Sequence, residues 1–166
     1  MLSIIVACDI NGGIGKDNNL LFKIKEDLKR FKELTTEHTI IMGRKTYDSL
    51  PNGALPNRHN IVITTSNRIN TMSPKESLIF KNNINELIEE YKNSSEEVFI
   101  IGGGLIYEQF LPYCNKIYLT TVKGNYDADT FFKINSNEWR KEWESGILES
   151  DGYSYNFINL TRKDLI

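Results

Sequence analysis

Short β-branched runs alternate with helix-periodic segments along most of this chain, and no other feature restricts its fold so tightly. Residues 2–7, 39–42, 60–64, 78–80, 98–101 and 116–122 read as strands, several of them almost unbroken in apolar character. Unbroken runs of this kind belong to strands covered on both faces. Between them Ile24, Leu28, Phe31 and Leu34 recur at helical spacing, as do Ile84, Leu87, Ile88 and Tyr91, and then Leu105, Ile106, Gln109 and Phe110. Strands alternating with helices imply a mainly parallel sheet with right-handed crossovers. Residues 139–148 and 153–161 are aromatic-rich and flank the turn signal Ser150-Asp151-Gly152, so they read as an antiparallel hairpin. The expected fold is one α/β domain over residues 1–166, with a mostly parallel central sheet of about eight strands, a C-terminal antiparallel hairpin and about four flanking helices.

With 166 residues, 40% hydrophobic and 25% charged, the chain can bury the core of one domain. A formal net charge of -2 leaves no broad basic face, so no nucleic-acid partner is expected. Cys8 and Cys114 are too few for a disulfide framework and read as buried, reduced thiols. His38 and His59 have neither metal-like spacing nor triad partners, which leaves metal and nucleophilic catalysis unsupported. The apolar start is too short for a signal segment and no run reaches transmembrane length, so a cytoplasmic protein without membrane association is expected. No exposed apolar stripe asks for a partner, and a monomer is the expected state.

Two strand-to-helix junctions carry the chemical signal. In Ile40-Ile41-Met42-Gly43-Arg44-Lys45-Thr46-Tyr47 a strand ends at a glycine, and the free N–H groups of the following helix start lie beside two cations. Cations oppose the macrodipole at that end, and an anion between them resolves the conflict; a solvated surface turn is the plainer alternative. Val98-Phe99-Ile100-Ile101-Gly102-Gly103-Gly104-Leu105-Ile106-Tyr107 repeats the device without the cations. It is not a G-x-G-x-x-G fingerprint, because Tyr107 stands where the last glycine belongs. Two such junctions fit a ligand with more than one phosphate, such as a dinucleotide. Thr64-Thr65-Ser66 and Arg68 add hydroxyls and charge at the same sheet edge.

Asp27 has two readings. In the first turn of its helix it can complement the dipole, as the adjacent Glu26 can. It also lies one turn before Phe31 and beside Leu28, so it points partly with the apolar side. A carboxylate placed there is driven toward its protonated form, which suits proton supply near neutral pH. Residues 11–19, including Asn11-Gly12-Gly13-Ile14-Gly15, read as a long irregular loop after the first strand. Such loops are often functional.

These pieces, in order along essentially the whole chain, resemble dihydrofolate reductase of the bacterial type. The matching segments are Ile5-Val6-Ala7, Ile14-Gly15, Asp27-Leu28 to Phe31-Lys32, Ile41 to Tyr47, Leu55-Pro56-Asn57-Arg58, Ile101-Gly102-Gly103-Gly104 to Tyr107-Glu108-Gln109-Phe110, Tyr118-Leu119-Thr120 and Asp129-Thr130. The resemblance implies NADPH-dependent reduction of 7,8-dihydrofolate to 5,6,7,8-tetrahydrofolate, with hydride added at pterin C6 and a proton at N5. Asp27 would bind the pterin ring and promote that protonation, with Thr120 in its hydrogen-bond network and Phe22 beside the proton route. Ile5, Val6, Ala7, Leu28, Phe31, Lys32, Leu55, Ile101 and Tyr107 would line the substrate, and Arg58 would pair with its glutamate α-carboxylate.

On the cofactor side the resemblance implies that Arg44, Lys45 and Thr46, with Thr64 and Thr65, hold the adenosine phosphates and distinguish NADPH from NADH, and that Gly43 and Lys81 also bind the cofactor. Ala7, Ile14, Gly15, Asn18, Ile101, Gly102, Gly103, Gly104, Leu105, Ile106, Tyr107 and Gln109 would contact the rest, with a cis peptide between Gly102 and Gly103. Residues 9–24 would form a mobile lid, held closed by Asp129. Dihydrofolate and antifolate small molecules, diaminopyrimidines among them, are the expected partners.

The sequence departs from the family pattern at Leu21-Phe22, where Pro-Trp is usual, at Leu105, where some relatives use arginine, and at Lys133, which replaces a common proline. The missing indole bears on the proton route and on lid rigidity. Two alternatives remain at this point: a reductase of the same fold acting on a riboflavin-pathway pyrimidine, and a non-catalytic folate- or nucleotide-binding protein. Asp27, Phe31 and Arg58 together fit a pterin with a glutamate tail better than either.

Overall fold

The computed structural model describes residues 1–17, 19–66, 68–72 and 77–163. Its centre is a parallel array built from the apolar runs: β1 (Leu2–Cys8), β4 (Thr39–Gly43), β5 (His59–Ile63), β7 (Ser77–Lys81), β8 (Val98–Ile100) and β9 (Lys116–Val122). They lie in the order β9-β1-β8-β4-β5-β7, every neighbouring pair parallel. Antiparallel strands extend both edges, with β13 (Tyr153–Arg162) on β9 and both β11 (Trp139–Glu144) and β12 (Leu148–Ser150) on β13, while β6 (Thr71–Met72) pairs with β7. The sheet therefore has ten strands among the described residues, the predicted array plus short edge additions. The predicted hairpin arm of residues 139–148 is divided in two, because the chain turns at Gly146 with φ +80°.

Strand periodicity sorts the core onto two faces. In β4, Ile41 packs with Leu2, Ile4, Val6, Ile61 and Ile100 under α3 (Ile84–Tyr91) and α4 (Gly104–Phe110), whereas Ile40 and Met42 pack with Val62, Phe99 and Tyr118 on the opposite face. Each fully buried aliphatic side chain contributes roughly 1.5–3 kcal/mol, so covering both faces holds the parallel array together. α1 (Lys25–Thr35) and α2 (Arg44–Ser49) lie on the second face, to which Leu34, Tyr47 and Leu50 contribute. The helical stripe on α1 is only partly core: Ile24 and Thr35 are buried, but Leu28 is 46% exposed and Phe31 half-buried.

The segment read as an irregular loop is more ordered than expected. β2 (Gly13–Lys16) and β3 (Asn19–Leu20) form a small antiparallel sheet with β10 (Thr130–Phe131). Cys8 and Cys114 are free and buried, and burial pushes their thiols up to about 11 and about 12. Among the described residues no helix is long and apolar enough to cross a membrane, and no cluster of three acidic, His or Cys side chains could hold a metal.

Candidate active site

Asp27 and Thr120, 93 positions apart, meet where the first turn of α1 crosses β9. The buried Thr120 hydroxyl donates to Asp27 Oδ1 at 2.6 Å. Burial pushes the Asp27 carboxyl above the usual carboxylate range; the Thr120 bond and the Arg30 charge pull the other way without overcoming it. The carboxyl is thus a group able to hold a proton under milder conditions than a surface aspartate.

Around it the apolar side chains are left half open. Strand alternation buries Ile4, Val6 and Cys8 on one face of β1 and turns Ile5 and Ala7, both half-buried, to the other. Val6 therefore packs in the core, away from the face of its predicted substrate-lining partners. Ile5, Leu55 and Ile101 pack at the margin of the second core face, which Phe31 and the exposed Leu28 continue on the α1 side. Lys32 is exposed. Arg58 is 7% exposed, donating from Nε to Pro56 O at 2.9 Å and from Nη1 to Thr35 Oγ1 at 3.2 Å. Among the described residues it forms no ion pair, although burial of the cation works against its charge. A buried guanidinium so placed calls for an anion.

The glycine junctions come together as predicted. The Gly102–Gly103 peptide is cis and Gly102 has φ +125°, a region open to glycine. Gly43 N–H donates to Gly102 O at 2.8 Å, which ties the two strand-to-helix junctions directly. A Cβ on the buried Gly102 would lie 3.4 Å from the Tyr107 hydroxyl and 3.6 Å from Thr46 Oγ1, so Thr46 and Tyr107 both pack against this peptide. Tyr107 is buried and its hydroxyl donates to Ile5 O at 2.7 Å, joining α4 to β1. Ile106 packs on Gly43, whereas Leu105 is 73% exposed.

At the same edge Lys45, Thr65 and Lys81 are exposed and Thr64 is buried, sharing a 2.8 Å hydroxyl contact with Ser66. Arg44 and Arg68 both bind Asp48, at 3.2 and 2.8 Å, so the Arg44 cation is shared rather than free. A cleft of about 480 Å³ lies beyond, lined by Ile63, Thr65, Asn82, Asn83, Ile84 and Gln109 among others. It joins Thr65 and Gln109, two predicted cofactor residues 44 positions apart in sequence.

The segment of residues 9–24 is tied down near its middle. Asp129 Oδ2 accepts from Asp17 N–H at 2.9 Å and Asp129 N–H donates to Gly15 O at 3.0 Å. Gly104 presses on the same small sheet, since a Cβ there would lie 2.7 Å from Thr130 Cγ2 and 4.0 Å from the buried Ile14. Phe22 packs edge-on against Tyr126 at 5.1 Å and Tyr153 at 5.8 Å. Asn18 lies outside the described residues.

Three contributors were not singled out in the sequence. Asp9, 3% exposed, accepts from the N–H groups of Asn11, Gly13 and Tyr126 at the base of the lid. Its burial disfavours the charge, but these backbone donors outweigh it and hold the carboxyl below the usual range. A carboxylate closing an apolar strand just before two glycines was the available signal. Asp151 caps α1 by accepting from Lys25 N–H at 2.9 Å, across 126 positions, and Arg30, one turn after Asp27 on α1, bonds Asn159 and packs on Phe157.

The dihydrofolate reductase family profile matches residues 1–162. The chain belongs to the dihydrofolate reductase family. It is 36% identical over 164 residues to a dihydrofolate reductase of Haemophilus influenzae, covering 97% of this chain and 98% of that protein. It is 38% identical over 159 residues to that of Staphylococcus haemolyticus, covering 94% and 92%. A dihydrofolate reductase from Enterococcus faecalis, complexed with NADP(H) and RAB-propyl, superposes with a TM-score of 0.84 at 29% identity, covering 99% of this chain and 97% of that one.

Proposed function

We infer that the protein reduces 7,8-dihydrofolate to 5,6,7,8-tetrahydrofolate with NADPH, the whole chain acting as one reductase domain. The observation that carries this reading is the Asp27–Thr120 pair beside half-open apolar side chains, with a buried Arg58 that has no counter-ion among the described residues and bonds Thr35 at the far end of the same helix. A pterin needs a hydrogen-bonding carboxyl, an apolar slot and, for its glutamate tail, a cation; these are the groups present. Asp48, shared by Arg44 and Arg68, presents two guanidinium groups beside the helix start that carries Lys45 and Thr46. That donor set and the glycine-rich start of α4 fit a phosphorylated dinucleotide.

Bound NADPH supplies the hydride that reduces pterin C6. Asp27 orients the ring and promotes protonation at N5, and Thr120 fixes the carboxyl. Arg58 holds the substrate α-carboxylate, a charge-assisted pairing. Residues 9–24, closed by Asp129, exclude water from the reacting atoms. Diaminopyrimidine antifolates bind at Asp27 through the same kind of hydrogen bonds. The protein acts as a cytoplasmic monomer with no nucleic-acid or membrane partner. The test is consumption of NADPH on addition of dihydrofolate. Consumption with a ribosylaminopyrimidine instead would move the assignment to the riboflavin-pathway reductases, and tight ligand binding without consumption would make it a binding protein.

A further inference from the structure

We propose that Arg30 is a positioning residue for Asp27: its guanidinium, seated one helical turn along α1 among three aromatic rings and without a counter-ion among the described residues, acts on the carboxyl across that turn and shifts the pH range over which protonation of the substrate is promoted. The inference rests on the reductase reading of this site and deepens it. The guanidinium carbon lies 4.6 Å from the Phe157 ring centre and 5.7 Å from those of Tyr118 and Trp143. Nη2 donates to Asn159 Oδ1 at 2.7 Å, and among the described residues Arg30 forms no ion pair. A half-buried cation held by aromatic faces and a neutral amide has no counter-ion to offset the field of its charge.

That field acts on the acid. Positions 27 and 30 share a side of α1 at i, i+3 spacing. Thr120, which holds Asp27, sits directly opposite Phe157 in the β9–β13 register, so one strand pair grips both groups. Besides Arg30, the titratable groups near Asp27 are Tyr107 from α4 and Tyr155 from β13, while Arg30 faces Tyr118 from β9, whose hydroxyl donates to Glu97. Burial raises all three tyrosines and keeps them neutral, which leaves Arg30 as the full charge set against Asp27. Consistently, Arg30 is the charge that opposes the upward push of burial on the Asp27 carboxyl.

The test is the pH profile of single-turnover hydride transfer, together with a direct ¹³C titration of the Asp27 carboxyl, for wild type, Arg30→Met, Arg30→Lys and Asn159→Asp. Asn159→Asp places a counter-charge on Arg30 without removing it, and so probes the same field if Arg30→Met does not fold. The expected result is an upward move of both the profile midpoint and the carboxyl titration in Arg30→Met and Asn159→Asp. It brings a roughly threefold or larger gain in rate on the alkaline limb, while Arg30→Lys stays close to wild type. An unmoved midpoint and titration in a folded Arg30→Met or Asn159→Asp would overturn the proposal, whatever happens to stability or overall turnover. Failure of the reductase reading would appear separately, as wild type that consumes no NADPH with dihydrofolate.

Discussion

At the scale of single residues, Asp27 is a carboxyl held where its charge is disfavoured, so the group proposed to serve the reaction also weakens the fold. Its folded pKa lies above the ordinary value, so within that interval the folded state binds more protons than the unfolded one. Stability is lost as pH rises through the interval and stays lower at neutral pH. Asp27→Asn is therefore expected to raise Tm at pH 7, with the gain disappearing below about pH 4; equal destabilisation at both pH values would contradict this. Arg58 tests the substrate end. Arg58→Met removes a charge-assisted pairing worth about 1.5–3 kcal/mol, so KM for dihydrofolate should rise roughly 10- to 100-fold with the NADPH Kd little changed. The pairing of Asp27 with Thr120 was legible only through family resemblance, because nothing local links residues 93 apart. Arg30 escaped notice because a cation on a helix reads as surface until strands from elsewhere place Phe157, Tyr118 and Trp143 around it.

At the scale of elements, the lid shows where pattern reading stops. The segments Gly-Ile-Gly-Lys and Asn-Leu carry little β-propensity, and they become β2 and β3 because β10, Asp9 and Asp129 supply partners from outside the segment. The parallel strands were legible for the opposite reason: their apolar runs are specified by burial on both faces. Asp129→Ala removes an exposed anchor, so it should slow hydride transfer several-fold while shifting Tm by only about 2 °C or less; a large Tm change with intact kinetics would contradict a role in lid closure. Phe22 fills the usual tryptophan position with an aromatic contact to Tyr126 and Tyr153 but no N–H donor. Phe22→Trp is expected to change turnover by a few-fold through lid opening. Identical pre-steady-state and steady-state rates would show the difference to be inconsequential.

At the scale of the whole molecule, the two apolar faces of one parallel sheet hold α4 and α1 on opposite sides, with Tyr107 bonded to β1 at Ile5 O and Asp27 bonded to Thr120 on the neighbouring β9. The double-wound core was legible from alternation; the edge strands were not, since β6 and β10 are only two residues long. Asp9, the buried carboxylate at the lid base, contributes stability above the ordinary carboxylate pKa that is lost as pH falls through its lowered value. The central claim is that Asp27 promotes protonation of the pterin during NADPH-dependent reduction of dihydrofolate. Its most direct test is the rate of NADPH loss on adding dihydrofolate, for wild type and Asp27→Asn side by side across pH. The account predicts rapid oxidation by wild type that nearly vanishes in Asp27→Asn at neutral pH and partly returns in acid, where the substrate takes its proton from solvent. Undiminished oxidation by Asp27→Asn at neutral pH, or none by the folded wild type, would contradict it.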